Sequence, residues 1–296
     1  MESIARHTST PAQIASVPRI VRLLAAEARP AVQAVFLLRF ASMALVAADP
    51  TPAIMLAATG WLLLTVAIYL LNGVSDVAGD KLNKSPRPLA AGLVDVATAR
   101  RAAAACGLIG VATCFTHSVT LGALSIVMLA LGSGYSYGPC WKVGRCSASI
   151  VIGAGAALTY VGGAAVAGVA SWQVMAFTTA LSLWIAFASA SKDFSDVIGD
   201  RMAGRRTMPV ELGYDLASRR LATATTAAAG LVVAVSLTLR VHIVTAGVVV
   251  VGTAVLAFAL AAARDAGSPR ATRSPYRIYM VTQYAACAGL LAGAVI

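Results

Sequence analysis

Two acidic segments of nearly the same sequence lie 120 residues apart in the chain. Residues 75–81 read Ser-Asp-Val-Ala-Gly-Asp-Lys, and residues 195–201 read Ser-Asp-Val-Ile-Gly-Asp-Arg. On a helix, residues at i, i+3, i+4 and i+7 project from one face. Each segment therefore predicts a row of polar and acidic side chains about two turns long. The first acid row is Asn72, Asp76 and Asp80, and the second acid row is Asp193, Asp196 and Asp200.

Stacked carboxylates on one helix face repel each other unless a cation neutralises them. A solvated helix end, balanced by nearby lysine and arginine, explains a single aspartate but explains a duplicated row poorly. Mg²⁺ takes one or two carboxylates, several waters and the oxygens of a substrate phosphate. The two rows therefore predict Mg²⁺ as the cofactor, and rows that face each other would hold a diphosphate through bridging Mg²⁺.

The composition predicts an all-α membrane protein. Hydrophobic residues make up 59% of the chain and charged residues only 12%, with a mean hydropathy of +0.80. A soluble fold rarely hides so much apolar surface behind so few charges. A membrane-spanning helix needs about 20 mostly apolar residues. Nine transmembrane helices are predicted, at 30–48, 52–72, 97–116, 119–138, 147–169, 172–191, 217–238, 242–263 and 276–296.

The distribution of positive charge predicts the orientation. All of the 23 basic residues except Arg39 and Arg240 fall in alternate gaps between the spans, which the positive-inside rule assigns to the cytoplasm. The net charge of +11 is thus topogenic and indicates no nucleic-acid partner. We expect residues 1–29 to form a cytoplasmic N-terminal segment without a signal peptide, and residues 30–296 a single domain embedded in the cell membrane. Four spans separate the acid rows, so both lie on the cytoplasmic side in a parallel internal repeat.

Basic loops follow the acid rows. Residues 83–89 read Asn-Lys-Ser-Pro-Arg-Pro-Leu, and residues 204–209 read Gly-Arg-Arg-Thr-Met-Pro. The fourth span ends in Tyr-Ser-Tyr-Gly-Pro at 135–139, shortly before Lys142 and Arg145. Topogenic charge explains any one of these basic residues. Their position beside the acid rows favours a second role, because lysine and arginine suit a diphosphate leaving group.

Together these features resemble the UbiA superfamily of intramembrane prenyltransferases, over essentially the whole chain. The motifs are most similar to those of the branch that contains chlorophyll synthase, homogentisate prenyltransferases and archaeal ether-lipid synthases. One departure is Gly73, where the family usually has Asp or Glu. The motifs that carry the resemblance are Asn72-x-x-x-Asp76-x-x-x-Asp80, Lys192-Asp193-x-x-Asp196-x-x-x-Asp200, Tyr135-Ser136-Tyr137-Gly138-Pro139, Arg87-Pro88-Leu89-Ala90-Ala91-Gly92, Pro209-Val210-Glu211-Leu212-Gly213 and Arg29-Pro30.

The resemblance implies a UbiA-like bundle with a cytoplasmic cap over the site. It implies Mg²⁺-dependent transfer of an isoprenyl group from an allylic prenyl diphosphate to a small lipophilic or aromatic acceptor. The five aspartates of the rows would be catalytic, and all six row residues would bind the metal. The diphosphate would be bound by Asn72, Lys142, Arg145, Lys192 and Arg87. The aromatic faces expected to stabilise the allylic cation are those of Tyr135, Tyr137 and Phe194.

Two alternative functions follow from the sequence. Terpene cyclisation would use the same metal motifs without an acceptor, and it is the second candidate function. A secondary transporter is disfavoured, because transporters place ionisable groups near the membrane midplane rather than at one face.

Arg39 lies roughly 15 Å into the first span. It could contact an anionic acceptor or a buried acid, or its side chain could extend to the membrane surface.

Overall fold

The computed structural model describes residues 16–45, 50–168, 171–264 and 269–292, and the side chains of Arg145, Pro269 and Arg270 lie outside that description. The described residues are helical and contain no β-strand, as predicted. Two short 3₁₀ helices occupy Trp141–Val143 and Ser189–Ser195. The α-helices are α1 (Val17–Glu27), α2 (Pro30–Ala44), α3 (Pro52–Leu82), α4 (Val96–His117), α5 (Val119–Ser136), α6 (Arg145–Ala167), α7 (Trp172–Ala188), α8 (Val197–Met202), α9 (Met208–Leu239), α10 (Ile243–Ala263) and α11 (Pro269–Ala292).

A helix occupies the described part of each of the nine predicted spans, although several ends differ. Residues 46–48, 169 and 293–296 of the predicted spans lie outside the described residues. Helix α3 continues to Leu82, well past the predicted end at residue 72, and carries the whole first acid row. Helix α9 begins at Met208 rather than at 217 and bends at Gly213, whose φ of 72° is a conformation that glycine adopts readily. Within the described residues, six helices are long and apolar enough to cross a membrane, those at 52–82, 119–136, 146–167, 172–195, 208–239 and 243–263. Nine crossings stay a prediction.

The bundle has two main hydrophobic clusters. One surrounds Trp61 of α3 and includes residues of α2, α4, α5 and α6. The other surrounds Trp184 of α7 and includes residues of α6, α9, α10 and α11. Helix α6 contributes to both clusters and packs closely on α2, since a β-carbon built at Gly163 would overlap the carbonyl oxygen of Phe40. The two halves of the bundle therefore meet along α6.

Helix α1 packs on the end of the bundle that carries the acids. Its Leu23 and Leu24 contact a small cluster that contains Val74 of α3 and Leu89 of the following loop. Glu27, the last residue of α1, is fully buried in this packing. The part of the N-terminal segment that the structure describes is thus docked beside the first acid row.

Candidate active site

The two acid rows meet at one end of the bundle. The guanidinium of Arg205, in the loop after α8, forms ion pairs with Asp76 of the first row and Asp200 of the second. The distance from Nη1 of Arg205 to Oδ1 of Asp200 is 3.3 Å. Because one guanidinium contacts both carboxylates, the rows face each other, as the repeat predicts.

The second acid row is not the regular α-helix face that the sequence predicts. Helix α7 ends at Ala188, a 3₁₀ helix carries Asp193, and Asp196 has non-helical angles of −115° and 13° before α8 begins. Hydroxyl groups in this segment bond to the backbone, as when Oγ of Ser195 donates to the carbonyl of Lys192 at 3.0 Å. Such local bonds compete with helical hydrogen bonds. Asp193 and Asp200 nevertheless remain buried.

Basic side chains neutralise the acid rows in this structure. Nζ of Lys142 lies 2.6 Å from Oδ1 of Asp76 and also donates to Ser75. Nζ of Lys192 lies 2.8 Å from Oδ1 of Asp193. Three of the four basic residues expected to bind a diphosphate, Lys142, Lys192 and Arg87, thus contact acid-row carboxylates, whereas the side chain of the fourth, Arg145, lies outside the described part.

Glu27 supplies a carboxylate from α1 beside the first row. It forms a 2.5 Å ion pair with Arg87 and accepts a 3.0 Å hydrogen bond from the amide of Leu89. Arg87 also lies 2.7 Å from Oδ2 of Asp80, so it joins α1 to the acid row. A β-carbon at Gly73 would overlap Oε1 of Glu27 and lie 2.7 Å from Nη2 of Arg87. The missing side chain at 73 therefore leaves the space that the Glu27 carboxylate fills.

The loops at this end contact one another. The side-chain oxygen of Asn83, after α3, accepts a 3.0 Å hydrogen bond from the amide of Gly199 in α8. The amide of Arg206 donates to the carbonyl of Val143 in the loop after α5, at 2.8 Å. These two hydrogen bonds therefore join the segments that follow α3, α5 and α8 into one layer. Whether this layer forms the expected cap stays a prediction.

A cavity extends from the acid rows into the bundle. Asn72, Tyr135 and Lys192, all predicted site residues, line it near the rows. Arg39 and Gln283 also line it, and most of the other lining side chains are apolar or aromatic. Ligand sites typically combine apolar walls with a few polar groups. This cavity has the lining of such a site.

The three aromatic residues proposed for cation stabilisation have different surroundings. Tyr135 lines the cavity. The hydroxyl of Tyr137 donates to the carbonyl of Leu71 at 3.3 Å, and Tyr137 is not among the residues that line the cavity. Phe194 is buried with its ring edge-to-face against Tyr214, at a centroid distance of 5.1 Å. The geometry therefore brings Tyr135, but neither of the other two, to the cavity.

The electrostatics of the second row reflect its burial. Burial raises the pKa of Asp200 to about 6, and the neighbouring Asp193 carboxylate contributes in the same direction while Arg205 opposes it. Burial lowers the pKa of Arg205, but Asp76 and Asp200 outweigh it and hold that pKa above the ordinary value. Arg205 therefore stays charged, and Asp200 gains a proton readily in the absence of another cation.

The donor set fits Mg²⁺ that takes part of its ligands from a substrate. No three His, Cys, Asp or Glu side chains converge into a closed metal cage among the described residues. Mg²⁺ usually binds through one or two carboxylates together with waters and phosphate oxygens. Asp76 and Asp200 provide carboxylates on opposite sides of a gap that Arg205 now spans. These oxygens suit a metal–diphosphate complex better than a bare ion.

Sequence reasoning missed several residues of the site. Arg205 follows Asp200 by five residues in a basic loop, and that proximity was a usable signal. Glu27 gave no signal, because only the packing of α1 brings it to the row. Tyr276, Tyr279 and Gln283 line the cavity from one face of α11, and their i, i+3, i+7 spacing could have indicated a polar face in the ninth span.

A sequence model of the UbiA prenyltransferase family matches residues 35–282. The diterpene cyclase eriG of Hericium erinaceus is 30% identical over 173 residues, which cover 54% of this chain and 53% of that protein. The digeranylgeranylglyceryl phosphate synthase of Sulfurisphaera tokodaii is 26% identical over 151 residues, which cover 50% of this chain and 53% of that protein. The chain thus spans about half the length of these relatives.

Solved structures show the same fold. A UbiA homologue from Archaeoglobus fulgidus bound to GPP and Mg²⁺ superimposes with a TM-score of 0.70 and 20% identity, covering 91% of this chain and 99% of that chain. The apo UbiA homologue from Aeropyrum pernix superimposes with a TM-score of 0.62 and 22% identity, covering 87% of this chain and 96% of that chain. Because the family match extends over most of the sequence, the chain belongs to the UbiA prenyltransferase family.

Proposed function

We propose that this chain transfers an isoprenyl group from an allylic prenyl diphosphate to a small lipophilic or aromatic acceptor, with Mg²⁺, and releases diphosphate. The observation that carries the proposal is the Arg205 bridge between Asp76 and Asp200. It brings carboxylates of both rows within reach of one cationic group, beside a largely apolar cavity. The A. fulgidus homologue of this fold was solved with GPP and Mg²⁺, which supports the same ligands here.

The acid rows supply the oxygen ligands. When bound, Mg²⁺ would supply positive charge that stabilises the leaving diphosphate. Asp193 and Asp200 are buried, so each carboxylate needs a cation beside it. Mg²⁺ can replace the lysine or arginine that now neutralises them, whereas leaving either carboxylate without a cation would be unfavourable. The residues that would hold the metal, directly or through water, are Asn72, Asp76, Asp80, Asp193, Asp196 and Asp200.

The basic residues stabilise the developing anion. Cleavage of the allylic C–O bond separates a cation from a diphosphate anion, so donors already placed at the anion lower the barrier. Lys142 and Arg205 both contact Asp76 and can turn their donors from that carboxylate to the leaving oxygens. Lys192 lines the cavity next to Asp193 and would contact the diphosphate from the second row.

The cavity protects the allylic cation. Its mostly apolar lining accepts an isoprenyl chain and excludes water that would otherwise quench the cation. Tyr135 lines the end near Asn72 and Lys192, where its ring can face the cation. The joined loops above the rows would serve as the cap.

The acid-bearing end is proposed to face the cytoplasm, in a multi-pass protein of the cell membrane that crosses it nine times. Basic residues are concentrated in the loops at this end, as the positive-inside rule requires. Both substrates are lipophilic and would enter from the bilayer, while the diphosphate product would leave to water.

Terpene cyclisation is the second candidate, because the relative eriG is a diterpene cyclase. A cyclase would ionise the same diphosphate and let the double bonds of the chain capture the cation. The acid rows and cavity serve either reaction, so only the products distinguish them.

Purified protein in lipid nanodiscs, given geranylgeranyl diphosphate and Mg²⁺, tests both candidates by mass spectrometry of the products. Transfer predicts a prenylated adduct only when a mixture of phenolic and lipid acceptors is present. A cyclic hydrocarbon formed without acceptor would favour the cyclase instead. Asp76→Asn should abolish turnover, whereas Asp215→Asn, in an exposed ion pair with Arg264, should not. Full turnover in EDTA would contradict both candidates.

A further inference from the structure

Glu27, at the end of α1, is a fully buried carboxylate that belongs to neither acid row. Its Oε1 lies 2.5 Å from Nη2 of Arg87, and its backbone carbonyl accepts a 3.3 Å hydrogen bond from the same nitrogen. Its Oε2 accepts a 3.0 Å hydrogen bond from the amide of Leu89. Because a buried carboxylate needs a cation beside it, Arg87 is the group that keeps Glu27 charged in this position.

Arg87 lies between two carboxylates. Its Nη2 faces Glu27, and its Nη1 lies 2.7 Å from Oδ2 of Asp80. In the described part of the chain, Oδ1 of Asp80 takes part in no ion pair. One positive charge between two carboxylates leaves one negative charge over, whereas Arg87 and Asp80 without Glu27 would form a neutral pair.

The two carboxylates differ in access to the site. The side chain of Asp80 is 17% exposed, whereas that of Glu27 is 0% exposed and closed off behind Arg87. Glu27 therefore cannot bind a metal ion itself. An arginine competes with Mg²⁺ for the carboxylate it is paired with, and a second carboxylate on the arginine weakens that competition. The charge of Glu27 thus acts on Asp80 through the guanidinium of Arg87.

We propose that Glu27 is a positioning residue of the metal site, which neutralises Arg87 so that Asp80 keeps a negative charge for Mg²⁺. This inference rests on the proposed function and assigns part of its Mg²⁺ affinity to a residue outside the acid rows. In this role Arg87 fixes Oδ2 of Asp80 and leaves Oδ1 to the metal. The described part of the N-terminal segment therefore completes the first acid row.

Calorimetric titration of pyrophosphate at increasing Mg²⁺ concentrations tests the proposal. Glu27→Gln keeps the size of the side chain and an acceptor for the Leu89 amide but removes the charge. The Mg²⁺ concentration for half-maximal pyrophosphate binding should rise at least tenfold, while binding at saturating Mg²⁺ persists. A merely structural glutamate would lower the thermal unfolding midpoint and leave the Mg²⁺ requirement unchanged. Asp215→Asn, which removes the same charge from an exposed ion pair, is the control.

Returning an acid to the same space from α3 provides a second test. A β-carbon at Gly73 would overlap Oε1 of Glu27, so Gly73→Asp in a Glu27→Ala background places a carboxylate where that of Glu27 was. This double variant should regain the wild-type Mg²⁺ requirement. The matched variant Gly73→Asn in the same background has the same size without the charge and should keep the raised requirement.

Two results would overturn the inference. They are an equal Mg²⁺ requirement in the wild type and Glu27→Gln, or equal requirements in the Gly73→Asp and Gly73→Asn double variants. If Glu27→Gln does not fold, the two double variants decide. Absence of Mg²⁺-dependent pyrophosphate binding from the wild type would defeat the proposed function itself. Its presence with an unaltered Mg²⁺ requirement in Glu27→Gln would defeat this inference alone.

Discussion

The space at Gly73 is the most specific structural feature beside the first acid row. A β-carbon there would overlap Oε1 of Glu27 and approach Nη2 of Arg87 to 2.7 Å. Neither group can move away freely, because Glu27 also accepts a hydrogen bond from the amide of Leu89, and Arg87 also forms an ion pair with Asp80. Gly73→Ala should therefore displace a buried ion pair and disturb the acid row.

The magnitude follows from the burial of the pair. Removing one partner of a buried ion pair destabilises a protein by about 3–5 kcal/mol, so displacing the Glu27–Arg87 pair should destabilise by roughly half of that. In a Glu27→Ala background the carboxylate is gone, and the β-carbon meets Nη2 of Arg87, the end of a flexible side chain that still bonds to Asp80 and to the carbonyl oxygen of residue 27. Alanine is then favoured over glycine inside a helix by roughly 0.5–1 kcal/mol. The effect of Gly73→Ala should thus change sign between the two backgrounds.

Thermal unfolding in detergent, followed by tryptophan fluorescence, measures this double-mutant cycle. Gly73→Ala should lower the midpoint by several degrees in the wild type and raise it slightly in Glu27→Ala. Gly79→Ala is the matched control on α3, since nothing lies within 4 Å of a β-carbon there, and it should not lower the midpoint. Equal destabilisation by Gly73→Ala in both backgrounds would refute the reasoning.

Three further predictions concern the site. The pKa of Asp200 is raised to about 6, above its unfolded value, so the ligand-free protein should gain stability as the pH falls from about 7 to 4. Thermal unfolding of the wild type and of Asp200→Asn checks this, because the variant should lose the gain, and an equal gain in both proteins would contradict it. Lys142→Gln should raise the KM for prenyl diphosphate at least tenfold, because it removes a charge-assisted donor; an unchanged KM would count against its role. Asn83→Ala removes the acceptor of the Gly199 amide and should speed proteolysis of the loops after α3 and α8, with unchanged cleavage as the contrary result.

Much of the fold follows from the sequence because membrane helices must satisfy their own backbone and bury apolar faces. The repeated motif around Asp76 and Asp196 indicated two related helix ends, and the bridge at Arg205 joins the two segments. The break of the second row was not predictable from spacing alone. Hydroxyl groups near Ser195 bond to the backbone there, and helical periodicity does not record that competition.

Long-range packing explains what the sequence did not reveal of the site. Glu27 reaches the first row only because α1 folds back onto α3, and Gly73 is informative only once that contact is known. Likewise, Arg39 was recognisable as an intramembrane charge, but its lack of an acidic partner among the described residues required the structure. Tyr137 illustrates the converse, since its motif suggested a cavity role and its hydroxyl bonds to a backbone carbonyl instead.

Calorimetric binding of pyrophosphate with Mg²⁺ tests the central account most directly, because it requires both acid rows and neither an acceptor nor an isoprenyl chain. Asp76→Asn and Asp200→Asn should each abolish Mg²⁺-dependent binding, and the double variant should lose no more than either single one. Asp215→Asn, at an exposed carboxylate that belongs to neither row and pairs with Arg264, should bind as the wild type does. Retention of Mg²⁺-dependent binding in both single variants would show that the paired rows do not hold the diphosphate.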